Sequence, residues 1–179
     1  MKQETLQLTT GGLKENRREL DFYPTPKDVT IALMEFLKLK PCNVWEPACG
    51  NLAMSNVIES YGHNVRSTDI QTGNDYLITE GFADAIITNP PFALSQKFIE
   101  KALKEADIVA MLLKCQYWHA KKRYDLFRNN PPAYVLPLTW RPDFMDGEKG
   151  GSPTMEVHWT VWMKDDHVTK YVPLCKPLA

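Results

Sequence analysis

The chain has 179 residues, 44% of them hydrophobic and 24% charged, with a formal net charge of -1. That apolar content suffices for a real core and excludes intrinsic disorder, while the near-neutral balance excludes a protein that coats nucleic acid by charge alone. No apolar run reaches the ~20 residues of a membrane span, the polar N-terminus lacks a signal peptide's apolar stretch, and Cys42, Cys49, Cys115 and Cys175 form no CxxC pair, so a cytoplasmic protein without a disulfide framework is expected.

Residues 1–20 carry Thr9-Thr10-Gly11-Gly12 and then mixed charges, and read as a mobile arm; residues 21–179 read as a single domain. Asp21-Phe22-Tyr23-Pro24-Thr25-Pro26 opens the ordered part. Thr25 suits an N-cap and Pro26 the first helical position, and Val29, Leu33, Phe36 and Leu37 then recur at helical spacing as far as Pro41. Asn43 to Pro47 reads as a short strand running into the turn Ala48-Cys49-Gly50-Asn51. A helix with Met54, Val57, Ile58 and Tyr61 on one face follows, and Gly62 stops it. Val65 to Asp69 and Ala83 to Thr88 are the next strands, the latter ending at Asn89-Pro90-Pro91-Phe92. Leu94, Phe98, Ala102 and Leu103 mark an amphipathic helix, and the apolar run Ile108 to Leu113 is a strand covered on both faces. Tyr134 to Leu138 and Val157 to Met163 are two further strands, separated by a long exposed loop, Thr139 to Thr154. Strands alternating with helices give a Rossmann-like α/β fold, a mostly parallel sheet with helices on both faces and an antiparallel C-terminal strand.

In such sheets ligands sit beyond the carboxyl ends of the strands, and two unusual segments fall there. In Trp45-Glu46-Pro47-Ala48-Cys49-Gly50 the small residues let backbone approach a ligand, and Asp69 closes the next strand about 20 residues on, the usual offset for a carboxylate on ribose hydroxyls. The single glycine argues against a pyrophosphate cradle, and an ordinary strand-to-helix turn is the alternative. In Asn89-Pro90-Pro91-Phe92 the Asn89 side-chain carbonyl and the Pro90 carbonyl are acceptors beside an aromatic ring, a set suited to a planar group bearing NH2; a rigid loop with a chance aromatic is the alternative.

Together these segments resemble the class I S-adenosylmethionine-dependent methyltransferases, and within them the N6-adenine methylases of DNA. Phe22, Tyr23, Pro24 and Thr25 resemble the motif that folds over the cofactor's methionine part. Glu46, Pro47, Ala48 and Gly50 resemble the cofactor loop, although Glu46 has capping of its own turn as a second reading. Asp69 matches the ribose-binding acid, and Asp75-Tyr76 the Asp-aromatic pair at the adenine ring. Asn89, Pro90, Pro91 and Phe92 match the catalytic tetrapeptide, with Asn89 also beside the cofactor. The match runs from Phe22 to Leu113 in consistent order. It implies methyl transfer from S-adenosylmethionine, leaving S-adenosylhomocysteine, to the N6 amine of an adenine that has left its stack.

Pro41-Cys42 spells the nucleophile of cytosine C5 methylases but precedes the cofactor strand and reads as a helix end. The histidines are scattered, so no metal is expected. No target-recognition module fits in the sequence, a compact format that resembles small phage-type methylases. Substrate contact is therefore expected from loops, through Lys121, Lys122 and Arg123 in the stretch Lys114 to Arg128, and through Trp140 and Arg141, with Phe144, in the long loop. A solvated helix face is the alternative for the basic stretch. The partner expected is nucleic acid, DNA first, with no membrane, for a monomer or homodimer. Methylation of adenine in rRNA, methylation of a protein glutamine, or an inactive fold that only binds remain as alternatives.

Overall fold

The computed structural model describes residues 24–144 and 155–178. In chain order the main elements are α1 (Lys27–Leu37), β1 (Asn43–Glu46), α2 (Ala53–Ser60), β2 (Asn64–Ser67), β3 (Ala83–Thr88), α3 (Ser95–Glu105), β4 (Ala106–Lys114), α4 (Tyr124–Asn129), β5 (Tyr134–Pro137), β6 (Val157–Met163) and β7 (Lys170–Tyr171). The strands form one sheet in the order β2-β1-β3-β4-β6-β5-β7. Only β6 runs antiparallel to its neighbours β4 and β5; the other pairings are parallel.

Period-two alternation places the core on both faces. On one face Val44, Ala85, Ile87, Ala110 and Leu112 meet α1 and α2 through Val29, Leu33, Met54 and Ile58. On the other, Trp45, Ile86, Val109 and Met111 meet α3 and α4 through Phe98, Ile99 and Leu126. The wholly buried Trp159 on β6 donates its Nε1–H to the Val29 carbonyl of α1 at 3.0 Å, so that helix is tied to the sheet by a hydrogen bond as well as by packing.

The chain passes from β1 outward to β2, then returns to place β3 on the opposite side of β1. Such a reversal opens a crevice between the carboxyl ends of the two strands on either side of it, here β1 and β3. Both unusual segments of the sequence leave the sheet at these two ends.

Several local expectations change. Thr25 caps nothing: Pro26 holds the cap position of α1, and the Thr25 hydroxyl is turned to Asn89 instead. The helix ends at Leu37, ahead of Pro41, because Lys38 takes a left-handed conformation (φ 47°) and its N–H returns to the Met34 carbonyl. Tyr61 does not join the buried face of α2 and is 38% exposed. The second strand stops at Ser67, leaving Asp69 beyond its end. The loop after β5 is not exposed throughout its described part, since Phe144 is buried; residues 145–154 lie outside the described residues, as does the 1–20 arm.

Gly62 ends α2 at φ +87°, and a Cβ there would meet only Pro41 Cγ at an ordinary 3.8 Å. Gly62→Ala should therefore cost about 1–2 kcal/mol through backbone strain alone. Urea unfolding checks this, and an unchanged midpoint would mean that the turn relaxes freely.

Candidate active site

The crevice at the β1 and β3 ends holds a cavity of about 420 Å³, lined from one side by Glu46, Ala48, Gly50 and Asp69 and from the other by Asn89, Pro90, Pro91 and Phe92. Another cavity, of about 470 Å³, lies near the amino ends of β3 and β4, and none of the motif residues lines it.

Gly50 follows β1 with φ 49°, in the left-handed region, where glycine carries no steric penalty. Its N–H donates to Asp69 Oδ2 at 2.9 Å, and the Gln71 N–H donates to Asp69 Oδ1 at 2.8 Å. One buried carboxylate thus fastens the glycine turn to the end of β2. Each of its oxygens keeps acceptor capacity for a further donor in the cavity.

Glu46, the last residue of β1, is only 2% exposed. Its Oε2 accepts a hydrogen bond from the Ser55 hydroxyl, and the Ser55 and Ser67 hydroxyls lie 2.7 Å apart. Burial pushes the Glu46 carboxyl up from 4.5 to about 7; the Ser55 bonds oppose the shift and the Asp69 charge adds to it. The folded chain therefore keeps a proton that the unfolded chain has released, so this group's contribution makes stability fall as pH rises from about 4.5 to about 7. Glu46→Gln should remove that fall, on the order of 3 kcal/mol between about pH 4.5 and 8. Urea midpoints at the two pH values test it, and a wild-type-like fall in the variant would clear Glu46 of the effect.

On the opposite wall the Asn89 Nδ2–H donates to Thr25 Oγ1 at 3.2 Å. That bond orients the amide, and its oxygen accepts no hydrogen bond among the described residues. The Ser95 hydroxyl donates to the carbonyls of Pro91 and Phe92, at 3.2 and 3.1 Å, and so ties the tetrapeptide to the first turn of α3.

Pro24 and Thr25 also line the cavity, whereas Pro47 lies buried behind its loop. Phe22 and Tyr23 lie outside the described residues. Asp75 and Tyr76 are not brought to the cavity. Asp75 Oδ1 accepts from the Leu77 N–H at 2.9 Å, and the Tyr76 ring packs in the core against Trp45 and Phe98, with centroids 5.0 and 4.8 Å away. Cys42 sits just before the amino end of β1, beside His63, away from the cavity. Burial, together with Glu46 and Asp69, raises the Cys49 pKa, which keeps that thiol protonated and unsuited to nucleophilic attack.

Of the residues expected to meet substrate, Lys121 and Lys122 are exposed. Arg123 turns inward, its guanidinium 3.8 Å from the Tyr117 ring centroid. The Trp140 Nε1–H donates to Asp28 at 2.8 Å, and Arg141 pairs with Glu156 at 3.1 Å. Phe144 and Met155, which flank the segment 145–154, line the cavity. Ile70 and Gln71 line it too and had no sequence signal, because their side chains belong to a short turn without periodicity.

The sequence matches no family model and no curated protein. Solved structures do match. A protein of Pyrococcus horikoshii, provisionally assigned as an RNA methyltransferase, superposes with a TM-score of 0.64 at 14% identity, over 87% of this chain and 93% of that one. The chain has the Rossmann-like methyltransferase fold. A provisionally assigned modification subunit of a type I restriction enzyme from Vibrio vulnificus gives 0.54 at 13% identity, over 89% of this chain and 50% of that one. The type IIG restriction endonuclease BpuSI gives 0.57 at 12% identity, over 88% of this chain and 28% of that one. The chain thus spans half of the second protein and little more than a quarter of the third. No described helix is long and apolar enough to cross a membrane.

Proposed function

We propose that this chain transfers a methyl group from S-adenosylmethionine to the exocyclic N6 amine of adenine in nucleic acid, with DNA as the polymer. The observation that carries the reading is one cavity with an acid-and-glycine wall facing the Asn89 to Phe92 wall. The cavity's size lies within the ~300–1,000 Å³ of small-molecule sites, and its residues fit the cofactor. Asp69 has acceptor capacity for ribose hydroxyls, Glu46 is an acid for an α-ammonium, and Met54, Leu94, Phe144 and Met155 supply apolar cover.

S-adenosylmethionine, when bound, supplies a methyl group on a sulfonium, already activated for departure. The chain's own task is to place and improve a poor nucleophile. An aromatic amine has its lone pair delocalised into the ring. The Asn89 side-chain oxygen, with its amide held by Thr25, and the Pro90 carbonyl would accept hydrogen bonds from its two N–H groups and favour a pyramidal nitrogen with a localised lone pair; as the nitrogen–methyl bond forms, the sulfur–methyl bond breaks, and the methylated nitrogen then releases one proton to solvent. Pro90 and Pro91 keep these acceptors rigid, and Phe92 would replace the stacking that the base loses on leaving its helix. No covalent enzyme intermediate is required.

Incubation with radiolabelled S-adenosylmethionine and separate pools of DNA, RNA and protein tests the proposal. Label in DNA is expected, and label confined to protein would contradict it. RNA is the second reading, favoured by one observation: the Pyrococcus horikoshii protein, of which this chain covers 93%, shares its compact format and is provisionally assigned as an RNA methyltransferase.

A further inference from the structure

β4 runs three residues past Met111, the partner of the last β3 residue Thr88, and ends at Lys114. This overshoot lies beside the segment that leaves β3, and the Lys114 ammonium sits 4.1 Å from the centroid of the Phe92 ring. Lys114 makes no ion pair among the described residues. It does not line the cavity, although Phe92 does. A cation with no ion pair among the described residues thus sits against the tetrapeptide's aromatic ring, and that ring also lines the cavity.

We infer that Lys114 is a substrate-binding residue that holds a phosphate flanking the target nucleotide. The inference rests on the adenine-methylation reading and names how that same site recognises a polynucleotide. A cation–π contact holds the ammonium at the ring without neutralising it, so its charge stays available to an anion. A base stacked on Phe92 from within the cavity would bring its own sugar-phosphate linkages close to that ring. The anion that accompanies a stacking base is therefore the one that the ammonium is placed to meet. Exposed Lys121 and Lys122 follow seven and eight residues later and also make no ion pair among the described residues, so they add positive charge to the segment after β4. A protein substrate with a side-chain amide would bring no such anion.

The test uses the full chain and two single-stranded oligodeoxynucleotides with one adenine each, one with ordinary phosphodiesters and one with neutral methylphosphonates on both sides of the adenine. The wild type should lose about tenfold or more in kcat/KM on the neutral oligonucleotide. Lys114→Met should lose about as much on the ordinary one and be indifferent to the replacement. Its slope of log KM against log salt should be shallower by about 0.7, the loss of one phosphate contact on a single strand. Lys114→Arg should restore all three readouts, and cofactor affinity should be unchanged in both variants. A Lys114→Met enzyme that keeps the full methylphosphonate penalty and salt slope would overturn the inference alone, leaving Lys114 as packing on Phe92. A wild type that transfers no methyl group to either oligonucleotide would overturn the DNA-adenine reading and this inference with it.

Discussion

Asn89→Ala is expected to bind S-adenosylmethionine with near-normal affinity and to methylate about 10²–10³-fold more slowly under single-turnover conditions, equivalent to about 2.7–4 kcal/mol. Asn89 follows β3 directly, so its backbone position is set by the sheet, and its amide is turned by Thr25. Nothing has to reorganise when the amine arrives, and that fixed geometry gives one acceptor its large effect. Alanine removes the acceptor and keeps the prolines. Thr25→Val should reproduce part of the loss, because the amide would then be free to rotate. Single-turnover rates at saturating cofactor, beside calorimetric affinities, check both variants. A wild-type rate for Asn89→Ala would reduce the tetrapeptide to a rigid turn.

Asp69→Ala should show the opposite pattern, with cofactor affinity reduced by about 1.5–3 kcal/mol and a smaller change in rate once cofactor saturates. The buried carboxylate serves two backbone donors, Gly50 and Gln71, in addition to any ligand hydroxyl. Alanine therefore loosens the glycine turn as well as deleting the ribose partner. Asp69→Asn should recover little, since the amide nitrogen would face one of those two N–H donors. Calorimetry with S-adenosylhomocysteine measures this directly. Undiminished affinity would remove Asp69 from the site.

The two walls were legible in the sequence because each is a short run of chemically unusual residues at the carboxyl end of a strand. Strands Ala83–Thr88 and Val157–Met163 coincide with their expected bounds, since their apolar residues fill the faces of a sheet buried on both sides. β7, Lys170–Tyr171, carried no signal: it is two exposed residues with no pattern to read. Tyr76 illustrates a different limit. With Asp75 it resembles the family's Asp-aromatic pair at the adenine ring, but the core beside Trp45 and Phe98 takes the side chain, and a local motif says nothing about which neighbour wins a ring. The residue types of Trp140 and Arg141 suit substrate contact, yet each has a carboxylate partner, Asp28 and Glu156, 112 and 15 residues away. Such pairings depend on the tertiary fold. Local preference makes Thr25 a helix cap, but Asn89, 64 residues on, donates to its hydroxyl.

The acceptor atom proposed for this chain is the N6 amine of adenine. Nucleoside digestion and mass analysis of DNA incubated with the enzyme and S-adenosylmethionine test it most directly. N6-methyladenine is expected as the modified nucleoside, abundant with the wild type and nearly lost with Asn89→Ala. A methyl group found on cytosine instead, or N6-methyladenine formed equally by both enzymes, would contradict it.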